Sequence, residues 1–219
     1  MSIKTVIKSQ DFFTTLTNEQ IDLLISISKI NNYSKNYILH YEQKNNSDLL
    51  FLTDGLAKAY KIDKHDNEIF LYYIYKNSLV SEISDINQDT LYSFSNIELI
   101  EDSQVLSINY KSFKELFLDK HILCKAFATQ IINKSSQLQS LVNREFIFDS
   151  VAKVAMMIHS DLDMFNKLKR QEISLILHIQ PATLSRVLNR LKRNKIIDII
   201  QGRVSVSNFS ALREIYEDK

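Results

Sequence analysis

Glycine occurs twice, proline once and cysteine once in 219 residues, and tryptophan is absent. Gly55 and Gly202 are too few and too far apart for a G-x-G-x-x-G or G-x-x-x-x-G-K phosphate loop, which excludes a nucleotide-hydrolysing enzyme of that kind. The lone Cys124 can close no internal disulfide and cannot supply the four thiolates of an iron–sulfur cluster. Such cysteine usage suits a reducing compartment and predicts a cytoplasmic protein. The first eight residues, Met1 to Lys8, hold no unbroken apolar run, and no later stretch approaches the roughly eighteen apolar residues that cross a bilayer. Neither a secretory leader nor a membrane span is expected.

What is present describes a folded chain: 45% of residues are hydrophobic and 24% charged, an ordinary balance for a globular protein with a real core. The net charge of +1 is unevenly spread, because residues 150–219 carry 12 Lys/Arg against 7 Asp/Glu while the rest carries 15 against 19. A polyanion would meet the C-terminal third.

Thr17-Asn18-Glu19-Gln20 fits a capping box opening a helix with Ile21, Leu24 and Ile25 on one face. From about Asn32 to Asn109, short runs of Ile, Leu, Tyr, Phe and Val alternate with polar clusters, the pattern of strands and turns. Asp54-Gly55 predicts a tight hairpin there, and the whole stretch a small antiparallel barrel or jelly roll. Residues 121–145 place Leu123, Phe127, Ile131, Leu138 and Val142 near one helical stripe, for which a second copy of the chain is the economical partner. Packing of this helix on its own barrel is the alternative. Beyond Asp149 the pattern gives a helix at about 150–159, a polar link, helices at about 170–177 and 181–193, and two apolar runs flanking Gln201-Gly202-Arg203. That order is a winged helix-turn-helix. The fold class expected is therefore α+β: a sensor barrel over 1–119, a dimerisation helix over 120–148 and a DNA-binding domain over 149–219.

The segment from Gln180 to Arg193 carries the most chemistry. Pro181 at the first helical position loses nothing by lacking an N–H. Leu184, Val187, Leu188 and Leu191 share one face, while Ala182, Arg186, Asn189 and Arg193 point the other way. Small residues at Ala182 and Ser185 let such a helix enter a major groove, where Arg186 can fork onto guanine O6 and N7. Gln180 and Thr183 lie at the same leading end, and Arg190, Lys192, Arg193 and Lys195, with Arg203 in the wing, are suited to phosphates. Two such helices on a two-fold axis predict a homodimer on a palindromic operator in double-stranded DNA.

At Thr183-Leu184-Ser185-Arg186-Val187-Leu188, at Phe51 to Tyr60 and at Phe148 to Ala155, the chain resembles the Crp/Fnr superfamily of bacterial transcription regulators, over nearly its whole length. The resemblance implies an effector-binding barrel, a long dimer helix and RNA polymerase as a further partner. Nucleotide-binding members place Arg-Ser or Arg-Thr ten residues after a Gly-Glu pair. Here the spacing gives Ser81-Glu82 and then Tyr92-Ser93. Glu82, Tyr92 and Ser93 mark the expected effector pocket, and without that arginine cyclic AMP is not expected to bind. Family members often carry Glu where Ala182 stands, and some carry Arg where Pro181 stands, so a changed target sequence is expected. The effector, a small molecule or a gas, is unidentified. Haem is left open as a cofactor by His40, His65, His121, His159 and His178. His121 and Cys124 form an i, i+3 pair that supplies two metal ligands and no more. An enzyme is not expected, since Glu42, Glu68, Glu82 and His65 are scattered and no nucleophile has a base. The competing function is a ligand-binding regulatory module acting through protein contacts.

Overall fold

A computed structural model describes residues 2–217. The chain divides into two compact units, Met1–Gln137 and Leu138–Lys219.

The first unit opens with helices α1 (Ile3–Lys8) and α2 (Asn18–Ser26). The expected capping box is formed: the Gln20 amide donates to Thr17 Oγ1 at 3.3 Å, and the Thr17 amide donates to Gln20 Oε1 at 2.9 Å. Ten strands follow: β1 (Ser28–Tyr33), β2 (Ile38–His40), β3 (Asn45–Asn46), β4 (Asp48–Asp54), β5 (Leu56–Ile62), β6 (Glu68–Tyr75), β7 (Ser78–Leu79), β8 (Leu91–Tyr92), β9 (Asn96–Leu99) and β10 (Ser103–Asn109). They form two four-stranded sheets, ordered β1-β10-β4-β7 and β2-β9-β5-β6, with β3-β8 as a short ribbon. Every pairing is antiparallel.

Asp54-Gly55 does not close a hairpin. β4 and β5 belong to different sheets, and Gly55, at φ +96°, is the corner where the chain passes from one to the other. A Cβ there would lie 2.1 Å from Ser103 Oγ and 2.9 Å from the Asp102 carbonyl, so the glycine serves both backbone angle and close approach. The first strand also begins four residues before the apolar pattern suggests, because Ser28, Lys29 and Ile30 pair with Ile108, Ser107 and Leu106.

After β10 come α3 (Tyr110–Phe113), a π-helical turn (Lys114–Leu118) and the long helix α4 (Cys124–Val142). His121, at φ +59°, breaks the backbone just before α4, which explains the late start. One core gathers Phe12, Phe13, Phe51, Phe113 and Phe117 with residues of α1, α2 and sheet β1-β10-β4-β7. Leu123 and Phe127 belong to this core, at 1% and 5% exposure, with Phe127 6.3 Å from the Phe113 ring. These two positions of the stripe are thus covered by the chain's own first unit, as in the alternative of a helix packed on its own barrel. A second core joins the two sheets through Leu52, Ala57, Ala59, Ile74, Val80, Ile97, Leu99 and Val105.

In the second unit α4 ends in a π-helical turn (Asn143–Ile147), followed by α5 (Ser150–Ser160), α6 (Leu162–Lys167), α7 (Arg170–Ile176), α8 (Pro181–Arg193), the hairpin β11 (Ile197–Ile200) and β12 (Arg203–Val206), and α9 (Phe209–Glu217). Asp149 Oδ1 caps α5 by accepting from the amides of Val151 and Ala152 at 3.0 and 2.9 Å. The stretch expected as a polar link contains α6, because Asp161 caps it through the Met164 amide and Met164 and Phe165 are buried. Helix α9 was not anticipated. Its amphipathic signal is short, resting on Leu212, Ile215 and Tyr216, and it packs against α5 with Leu212 fully buried.

Truncating Phe127 to alanine should cost the first unit about 3–5 kcal/mol in urea unfolding.

Candidate nucleic-acid interface and effector site

Helix α8 takes its orientation from one face. Leu184, Val187, Leu188 and Leu191 are buried, against α5, α7 and β11. Gln180 is its N-cap without a side-chain hydrogen bond, and Pro181 occupies the first turn. Ala182, Ser185, Arg186, Asn189, Arg190, Lys192 and Arg193 are exposed, with Thr183 half-buried beside them. The Arg186 guanidinium donates to Thr183 Oγ1 at 3.2 Å, a single bond that leaves its remaining donors facing outward. Ser185 Oγ donates back to the Pro181 carbonyl at 3.1 Å and so holds itself flat against the helix. The leading half of α8 thus presents one long cation among small side chains.

The β11–β12 wing is fastened at three points. Asn166 donates to the Val204 carbonyl at 2.8 Å and accepts from its amide at 2.7 Å. Arg170 donates to the Gly202 carbonyl at 2.9 Å with its guanidinium over the Phe165 ring. Lys192 lies 3.2 Å from Asp198 Oδ1 and donates to the Ile199 carbonyl at 3.2 Å, so its charge, expected for phosphate, is engaged with the wing. Arg203 is exposed on β12.

Before α8, the turn at His178 (φ +50°) is tied to the segment leaving α4. His178 Nδ1 is 2.7 Å from Glu145 Oε2, Arg144 Nε donates to Glu145 Oε1 at 2.9 Å, and Lys153 Nζ donates to the Leu177 carbonyl at 3.3 Å. Burial would raise the Glu145 carboxyl, but the bonds from His178 and Arg144 outweigh it and hold the group below the ordinary carboxylate value.

In the first unit the expected pocket residues part company. Glu82 accepts from the amides of Phe94 and Ser95 at 2.6 and 3.1 Å and from Ser95 Oγ at 2.9 Å, with Tyr72 Oη at 3.5 Å. Ser93 Oγ instead accepts from Asn46 at 2.7 Å, and the Tyr92 ring packs edge-on against Phe94. The polar cluster around Glu82 is completed by two residues that spacing alone does not single out as partners. Lys134, on α4, brings its ammonium over the Tyr72 ring, 5.4 Å from the centroid, and donates to the Val80 carbonyl at 3.4 Å. Its stem stays partly exposed, while packing around the ammonium pulls its pKa down to about 8, against a smaller upward pull from Glu82. His40, 5% exposed, has both ring nitrogens buried without a normal hydrogen bond. Burial, with Lys134 adding to it, pulls its pKa down to about 4, and a Ser95 backbone group opposes this only in part. Burial and Glu82 also raise the Tyr72 phenol above its ordinary value.

The other histidines are dispersed. His65 sits in an exposed turn, His159 bonds to Tyr216, and His121 Nδ1 lies 3.9 Å from the exposed Cys124 Sγ, which also donates to the Leu118 carbonyl. Among the described residues no three His, Cys, Asp or Glu side chains are arranged to hold a metal ion, and no helix is long and apolar enough to cross a membrane.

Residues 153–215 match the family model of the Crp-like helix-turn-helix domain. No curated protein matches the chain. Among solved structures, a CooA mutant from Carboxydothermus hydrogenoformans aligns with a TM-score of 0.68 at 17% identity, covering 99% of this chain and 96% of the other. FixK2 from Bradyrhizobium japonicum aligns with a TM-score of 0.65 at 14% identity, covering 86% and 97%. A protein described as a transcriptional regulator of the Crp/Fnr family from Eubacterium rectale aligns with a TM-score of 0.64 at 15% identity, covering 94% and 97%. The likeness to the Crp/Fnr fold read from the sequence is borne out.

Because the His40 ring stays neutral in the folded unit while an unfolded chain would take up a proton, its burial costs nothing above about pH 6.5. The penalty grows as pH falls toward 4, reaching about 3 kcal/mol. Urea titrations of the full chain should show this loss between pH 6.5 and 4, and His40→Phe should flatten it.

Proposed function

We propose that the chain is a sequence-specific transcriptional regulator of the Crp/Fnr type, which binds a palindromic operator as a homodimer and is controlled by a small effector sensed in its first unit. The observation that carries this reading is the outward face of α8: a complete buried face fixes the helix, and Arg186 stands exposed beside Ala182 and Ser185, held by one bond to Thr183. The Crp-like domain match over 153–215 supports it.

In this reading Arg186 reads a guanine, Asn189, Gln180 and Thr183 touch neighbouring base edges or sugar, and Arg190, Arg193 and Arg203 meet phosphates. Lys192 keeps the wing at its distance from α8 instead of contacting DNA. The second copy of the chain covers the exposed stripe of α4, where Ile132, Leu138 and Val142 are 63%, 51% and 50% exposed and Ile131 adjoins them. Two reading heads then address successive major grooves about 34 Å apart. The effector biases two arrangements of α4, and the protein works in the cytoplasm with RNA polymerase as its further partner. Cyclic AMP is not the effector, since Tyr92 stands where the phosphate's arginine would be.

Operators selected from a random duplex pool should be imperfect palindromes. Arg186→Ala should lose about 1–3 kcal/mol on the selected site and relax preference at one guanine. Arg193→Ala should weaken all duplexes alike and reduce the salt slope by about one. Equal losses on selected and random DNA for both variants would contradict these roles. In sedimentation, Ile132→Glu should yield a monomer whose first unit melts normally, and a stable dimer would remove α4 from the interface.

A further inference from the structure

From the start of α8 to the end of the wing the chain carries six cations, Arg186, Arg190, Lys192, Arg193, Lys195 and Arg203, and one carboxylate, Asp198. No other acidic residue occurs between Glu172 and Glu214. Among the described residues, Lys192 is the one cation of the six that forms a salt bridge, and its partner is that carboxylate. The sole anion of a cationic surface is therefore spent on one of its own lysines.

Strand register shows where the pair stands. β11 and β12 align Asp198 with Ser205 and Ile200 with Arg203, so these four side chains share one face of the hairpin, while Ile197 and Val204 are buried on the other. Asp198 thus shares the wing face of Arg203, the residue assigned to a phosphate. Its Oδ1 accepts from the Ile199 amide at 2.7 Å and lies 3.2 Å from Lys192 Nζ, which also donates to the Ile199 carbonyl at 3.2 Å. Two oxygens, one of them charged, give the ammonium what a phosphate would give it. The Ile199 amide, with Lys192 after it, holds the carboxyl below the ordinary carboxylate value, so it stays ionised at neutral pH.

The wing's place does not rest on this pair alone, because Asn166 and Arg170 also tie it through its backbone. Both partners are half-exposed, and an ion pair in that setting is weak enough to compete with a phosphate on nearly equal terms. Phosphate contacts carry no sequence information, so each one raises the affinity for every duplex alike. Holding one back lowers retention on random DNA.

Resting on the reading of α8 and the wing as a DNA-binding surface, we infer that Asp198 is an internal stand-in for a DNA phosphate: it occupies the Lys192 ammonium and sets the affinity for duplex DNA below what the cations of this surface would otherwise give.

The test uses the full-length protein and a random-sequence duplex, with fluorescence anisotropy read over a series of salt concentrations. Asp198→Asn, whose side-chain oxygen can still accept from the Ile199 amide, should bind the duplex at least about threefold more tightly and steepen the salt slope by about one per reading head. A pair that served only to hold the wing would give the opposite sign. The double variant Lys192→Met/Asp198→Asn removes the pair as a neutral unit and should return affinity to within about twofold of the parent chain, with the parent's salt slope. Weaker or unchanged binding by Asp198→Asn, or a gain that persists in the double variant, would overturn the inference. Should Asp198→Asn fail to fold, the double variant decides alone: parent-like affinity upholds the neutral pair, and a several-fold loss places Lys192 on a phosphate already and overturns it. The selected operator should gain by the same factor as the random duplex, and a gain confined to the operator would count against a sequence-blind contact. Loss of operator preference in Arg186→Ala upholds DNA reading whatever Asp198 does, so the inference can fail by itself. A parent chain without affinity for any duplex would overturn both.

Discussion

Four apolar side chains on one side of α8 decide what its other side can do. With Leu184, Val187, Leu188 and Leu191 buried, the helix cannot rotate without exposing one of them, at a cost of about 1.5–3 kcal/mol each. Rotation of about 100° separates successive residues, so this burial alone aims Arg186 outward. The rest of the second unit stiffens that arrangement. Asn166 and Arg170 fasten the wing, and Glu145, with His178 and Arg144, fastens the turn before α8 to the segment that leaves α4. The bond to Thr183 restricts the otherwise flexible Arg186 side chain.

The first unit follows a different logic. One of its cores is rich in phenylalanine and the other is aliphatic, and at the margin of the second lie the buried His40 and the half-buried Lys134. The contrast with Glu82 is instructive: the same cluster contains a carboxylate whose every need is met by neighbouring amides.

Much of this could be read from the chain before its structure, for identifiable reasons. The face of α8, the capping box at Thr17 and the β11–β12 hairpin are local patterns, written within a few residues of one another, and they formed as read. What escaped was set by distant partners. Asp54-Gly55 carries the correct backbone angle for a hairpin, but the residue that decides its role is Ser103, packed against the glycine from almost fifty positions away. The stripe of α4 was continuous in sequence, while the core claimed Leu123 and Phe127 and left Ile131, Ile132, Leu138 and Val142 exposed. Nothing near Lys134 in sequence announces that its ammonium reaches Tyr72 and Val80. A lysine in an otherwise amphipathic helix reads as a solvated charge.

The solitary cysteine has a practical consequence. Cys124 is the only thiol in the chain, it is exposed, and it stands at the first turn of α4. A nitroxide or fluorophore attached through sulfur therefore goes to one place per protomer without engineering. In any paired assembly, the distance between two such labels becomes an internal ruler, lengthening or shortening as the long helices shift against each other.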